Sequence, residues 1–148
     1  MTRLEHTATM QRLTRDARGI ARRFGLRGWT LADCDERKRA RCDHRARSSE
    51  PGKLAFGLPE RAACMGCCWM IAGKPVVSVR LFNRRNGRAR EYSTVAETLC
   101  HELAHVATLH DLLDPECDAH GDEWQYAYSR IAGWARAEEI LETTAHER

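Results

Sequence analysis

His101 and His105 stand four residues apart, with Glu102 beside the first, in the run His101-Glu102-Leu103-Ala104-His105. On a helix, positions i and i+4 lie one above the other, and both imidazoles then aim a nitrogen at one point. That geometry is a two-pronged clamp for a zinc ion. Glu102 is displaced around the helix, too far for a further bond to the metal but near enough to touch water held by it. Zinc lowers the pKa of such water to about 7, and Glu102 is placed to accept its proton during attack on a carbonyl and to pass the proton to a leaving amine. The reaction implied is peptide hydrolysis. Leu99, Leu103, Ala104 and Val106 around the motif are apolar or small, so the segment is partly buried, and histidines in such a place need partners.

Two histidines and a water leave a catalytic zinc one protein ligand short. A histidine at metzincin spacing would fall at position 111, which is Asp111, and the expected glycine at 108 is Thr108. His110 is too far around the same helix to join. His120 opens the next helical stretch, from which a side chain folds back over the first; it is favoured over the carboxylate of Glu123, with Asp118 behind both. For stabilising the oxyanion, Tyr92, Tyr126, Tyr128 or an arginine all stay open.

These residues need two helices to hold them. Thr94 and Glu97 have the spacing of a capping box, and Val95, Leu99, Val106, Leu109 and Leu113 follow at helical intervals as far as Pro115. A last helix begins near Gly121, with Trp124, Ala127, Tyr128, Ile131 and Ala135 as its apolar face and Gly133 as a point of breakage or kinking. At the front, Met10, Leu13, Ala17, Ile20, Ala21 and Phe24 form one apolar stripe, capped by Thr7 or Thr9 and ended before Gly25. Strands are expected at Trp29-Thr30-Leu31-Ala32, at Arg41-Cys42-Asp43-His44 and, most clearly, over Val76 to Phe82, followed by an Asn86-Gly87 turn. Residues 46–74 read as an irregular Cys-rich insertion. The element order gives an α+β fold: an N-terminal helix, a small, mainly antiparallel sheet of about three strands, the active-site helix and a C-terminal helix.

A chain of 148 residues is of single-domain size, and 1–148 is read as one domain. No apolar run approaches the length needed to cross a bilayer. Seven cysteines, an odd and clustered set, suit thiols or metal ligands in a reducing compartment, and a cytoplasmic protein is expected. Cys64 and Cys67 have the separation of a zinc knuckle, which Cys68, Cys42, Cys34 or His44 could complete as a second, structural zinc site. Charge is unevenly spread: residues 1–47 hold 13 Arg and Lys against 6 acids, residues 94–148 hold 3 against 12. The Arg-rich front could steer toward the phosphates of DNA, although aromatic residues are not interleaved with it. A zinc-containing nucleic-acid-binding module without proteolysis is therefore the alternative reading.

His101-Glu102-Leu103-Ala104-His105, followed after fifteen residues by His120-Gly121-Asp122-Glu123-Trp124, resembles the SprT-like metallopeptidase family. The resemblance implies a zincin-like fold, zinc bound by His101, His105 and His120, Glu102 as catalytic acid and base, and Trp124 packed beside the site. Protein or peptide substrates are implied. Some members clear proteins crosslinked to DNA, which makes DNA a partner to be expected. Two features depart from the family: nothing after residue 135 resembles the zinc-ribbon tail many members carry, and Cys64-Met65-Gly66-Cys67-Cys68 lies in an extra segment.

Overall fold

The computed structural model describes residues 2–33, 65–83, 86–114 and 116–142. Their elements are α1 (Arg3–Phe24), β1 (Thr30–Asp33), β2 (Gly66–Ile71), β3 (Lys74–Val79), α2 (Tyr92–Ala107), α3 (Leu109–Leu113) and α4 (Asp122–Ala137). The α+β arrangement is the expected one. Its sheet has the order β1-β3-β2, with β1 parallel and β2 antiparallel to the central β3.

Burial follows that order. Val77 and Val79 point into the core from β3, and Ser78 on the opposite face is buried too. β2 and β3 meet through Ala72 and Gly73, both at positive φ (51° and 78°), the signature of a two-residue type I′ hairpin. This hairpin corrects the irregular reading of residues 46–74, since Gly66–Ile71 is a paired strand. The remainder of that insertion, and the strand expected at 41–44, lie outside the described residues. The strand expected over 76–82 runs instead from Lys74 to Val79; Phe82 makes an isolated bridge with Ala89 across the Asn86-Gly87 turn.

α2 is the hub, packing against β2, β3, α1, α3 and α4. Leu13, Ala17 and Ile20 of α1 share one core with Leu99 and Leu103 of α2 and with Ile131 and Ala135 of α4. Each such fully buried Leu or Ile contributes about 1.5–3 kcal/mol of transfer free energy. α1 starts earlier than expected: Thr2, not Thr7 or Thr9, is the N-cap and closes a capping box with Glu5, while the Thr7 hydroxyl donates back to the Arg3 carbonyl. α2 also starts early, at Tyr92, with no side-chain cap, so Thr94 and Glu97 form no capping box. Tertiary anchoring replaces the cap there: Tyr92 donates to Asp16 of α1 at 2.5 Å, and the Arg12 guanidinium lies 3.6 Å over its ring.

The helix expected to run to Pro115 breaks at Thr108, whose hydroxyl donates to the Ala104 carbonyl at 2.8 Å. α4 continues through Gly133 without interruption. No helix among the described residues is long and apolar enough to cross a membrane.

Candidate metal centre

α2 carries His101 and His105 four positions apart on one face, and the connection from α3 to α4 brings His120 over them. The His120 Nε2 lies 3.1 Å from the His105 Nε2 and 3.2 Å from the His101 Nε2. With zinc–nitrogen bonds of about 2.0–2.1 Å, nitrogens at the corners of a tetrahedron stand about 3.3–3.4 Å apart. The observed spacing is thus close to that of a preformed three-nitrogen site. The donor set fits as well. A neutral imidazole has one N–H to share between two ring nitrogens, so a single proton on His120 Nε2 serves one of its two contacts, whereas a cation at the centre serves all three nitrogens.

His120 is held by its neighbours in the chain. Its N–H donates to Asp118 Oδ1 at 2.9 Å, its carbonyl accepts from Gln125 Nε2 at 3.1 Å, and Gly121 N–H donates to the Asp118 carbonyl at 3.1 Å. Asp118, weighed as a ligand from the sequence, instead forms the turn that presents His120. Trp124, one helical turn on, lies beneath all three imidazoles, with ring centroids 4.7 Å from His101, 5.5 Å from His105 and 4.7 Å from His120. Its indole N–H donates to the His101 carbonyl at 3.3 Å, tying α4 to the histidine-bearing turn of α2. Packing of this kind fixes ring orientation before any ion arrives.

Glu102 is 5% exposed and, with His101, lines a cavity of about 430 Å³ that runs toward the N-terminus of α2. β2 closes one side of it. A Cβ on Gly66 would lie 2.6 Å from Thr98 Cγ2 and 2.8 Å from the Ser78 carbonyl oxygen, so only glycine lets the strand come this near to α2. Arg90 secures that approach: it donates to the carbonyls of Arg80 (2.6 Å) and Met65 (3.4 Å) and to Thr98 Oγ1 (3.0 Å). Burial, and then the charge of Arg80, lower its pKa. Neither Gly66 nor Arg90 was singled out from the sequence, since their partners come together only through tertiary packing.

Of the three tyrosines, Tyr128 alone lines the cavity, stacked on Trp124 at 5.1 Å and 7°. Tyr92 is engaged with Asp16, and Tyr126 is exposed. Glu123 turns away from the three histidines and accepts from, or shares a proton with, His110 at 2.8 Å; Asp111 lies 3.2 Å from the same ring nitrogen. These three residues form a second cluster of possible ligands, mostly exposed. Cys67 and Cys68 are buried, Cys68 in the core, while Cys34, Cys42, His44 and Cys64 of the expected cysteine site lie outside the described residues.

Comparison with known proteins matches residues 40–147 to the SprT-like family, a span that holds both histidine motifs, β2, β3 and every helix from α2 onward. No curated protein and no solved structure matches the chain.

Proposed function

From the premise that the chain belongs to the SprT-like family, we propose that it is a zinc-dependent metallopeptidase with Glu102 as general base and acid. The observation that carries the reading is the convergence of three Nε2 atoms, two of the contacts being 3.1 and 3.2 Å, beside a buried glutamate that opens into a cavity. Bound zinc supplies Lewis acidity there, polarising a carbonyl and acidifying water. His101, His105 and His120 hold the ion, and Trp124 keeps their rings in place. Glu102 takes the proton released as water attacks the carbonyl carbon and returns it to the amine nitrogen as the C–N bond breaks. Its burial keeps bulk water from competing for that proton.

The test is Glu102→Gln in the zinc-loaded protein, with cleavage of an unfolded protein as the readout. A fall of about 10²–10⁴ in rate with zinc content unchanged is expected, the range that a positioned acid–base group contributes. An unaltered rate would remove Glu102 from the chemistry.

One observation favours a nucleic-acid role beside or instead of proteolysis: Arg15, Arg18, Arg22 and Arg23 of α1 and Arg27 just beyond it are exposed. Such a row suits contacts with phosphates and would bring the site to proteins on DNA. DNA affinity that falls steeply with salt supports this partner. Binding of that kind with no proteolysis under any condition would replace the peptidase by a zinc-containing binding module.

A further inference from the structure

The cavity beside Glu102 has a composition that says which substrates fit it, on the reading of the protein as a peptidase. It begins at His101 and Glu102 and extends toward the first turns of α2, between the Met65-Gly66 end of β2 and the ring of Tyr128. The proton carried by Glu102 goes to the leaving amine, so that amine comes within hydrogen-bond reach of Glu102. The side chain carried by the same residue then enters the space next to Glu102. At about 430 Å³ this space takes a long side chain.

Glu97, one turn before His101, is the one charged side chain besides Glu102 among the described residues that line the cavity. It is exposed, so an incoming group reaches it without first breaking a buried pair. The Tyr128 hydroxyl donates to its Oε1 at 3.5 Å; a carboxylate with two oxygens and about four lone-pair sites keeps capacity for a cation. Burial and then the negative charge of Glu97 raise the pKa of Tyr128, so the carboxylate's field reaches the ring that forms the far wall. That ring is itself a surface on which an alkyl stem or a cation rests. Two cations are nearby: Arg90 stands behind Thr98 with its donors directed to Thr98, Met65 and Arg80, and the charge of Arg136 acts on Tyr128 in the opposite sense to Glu97.

We infer that this cavity receives the side chain of the residue following the scissile bond, and that Glu97 makes it select lysine or arginine at that position. The substrate class is thus peptide segments with a basic residue on the leaving-group side.

Three peptides that differ only at that residue, carrying lysine, acetyl-lysine or glutamate, test the inference with the zinc-loaded full chain. Acetyl-lysine keeps the stem and removes the charge. Wild type is expected to favour lysine over acetyl-lysine by about tenfold in kcat/KM at low salt, the preference shrinking as salt is added. In Glu97→Gln the ratio falls to about one, and in Glu97→Lys glutamate overtakes lysine; Glu97→Asp restores part of the wild-type order. Each ratio is taken within one variant, so changes in overall activity do not affect it. Cleavage without a lysine preference, or a preference that Glu97→Gln leaves intact, overturns the inference and spares the peptidase reading. Failure of wild type to cleave any peptide or unfolded protein removes that reading, and the inference with it.

Discussion

Two clusters of three possible ligands lie on the same stretch of chain, and they differ in what their members face. His101, His105 and His120 set nitrogen against nitrogen, with His105 buried, His101 half-buried, His120 exposed and an indole beneath the rings. His110, Asp111 and Glu123 set an imidazole against carboxylates, with His110 and Glu123 each 66% exposed. In the second cluster a ring nitrogen faces carboxylate oxygens, donor against acceptor, and exposed pairs of this kind contribute about 0–1 kcal/mol. The first has like groups converging on one point, which a cation placed there would bridge. Proximity of ligand types is thus common to both, and the convergence of three imidazole nitrogens over an indole sets the first cluster apart.

The sharpest way to break this comparison is to count metal. Wild type is expected to hold about one zinc per chain after gel filtration, and His120→Ala close to none, since two imidazoles and water make an incomplete catalytic site. His110→Ala should keep its zinc. Added zinc should raise the Tm of wild type and of His110→Ala but leave that of His120→Ala almost unmoved, because only a site present in the folded state converts binding into stability. Two tightly held zincs in wild type, or zinc lost from His110→Ala, would erase the distinction.

A smaller effect is expected from the support beneath the rings. Trp124→Phe removes the indole N–H from the His101 carbonyl and part of the surface on which three imidazoles rest. Zinc affinity, read by competition with a chelator, should drop about 10–100-fold, the usual loss when groups behind the ligands are changed. An unchanged affinity would mean that α2 alone orients its histidines.

The two clusters also differ in how readable they were. His101, Glu102 and His105 are legible because a helix turns four-residue spacing into a shared face, and the step to His120-Gly121 points to the third nitrogen through a resemblance. Glu123 was weighed for the same role because the chain places it near enough; only the direction of α4 shows that it meets His110 instead. The helices could be read from apolar periodicity, and α4 starts where expected, with Gly121 as its N-cap, but the starts of α1 and α2 could not be read. Tyr92 begins α2 through a bond to Asp16 that is 76 residues away in sequence. β2 escaped because its Gly-Cys-Cys start lacks β-branched residues and its turn uses Ala72 at φ 51°, a position where asparagine, aspartate or glycine is the usual signal. Gly66 is similar: its need for glycine comes from Thr98 and Ser78, which no local pattern brings near it.

If the exposed cluster is only a surface ion pair, disrupting it should be almost silent. His110→Ala with Glu123→Gln is expected to change unfolding free energy by no more than about 0.5 kcal/mol in a denaturant titration. A loss several times larger would mean that the pair clamps α3 to α4, making it a structural partner of the histidine site.

Each cluster has a cysteine at its edge, and these provide the finest test. Cys100, next to His101, is fully buried, and burial pushes its thiol up to about 12; alkylation mapped by mass spectrometry should leave it unmodified until the protein unfolds. Cys117, near the exposed cluster, donates to Asp114 Oδ2 at 3.3 Å. That bond, with smaller effects from burial and from the charges of Asp114, Asp111 and Glu123, raises its pKa above the ordinary thiol value. A raised pKa means less thiolate at a given pH, so Cys117 should react more slowly at pH 8 than an ordinary exposed cysteine, with a rate profile shifted to higher pH. Asp114→Asn should move the profile back down and speed alkylation a few-fold, and Glu123→Gln should do so more weakly. Labelling of Cys100 in the native protein, or a Cys117 profile indifferent to both substitutions, would show that the contrast between the three-nitrogen cluster and the carboxylate-paired one does not extend to the residues around them.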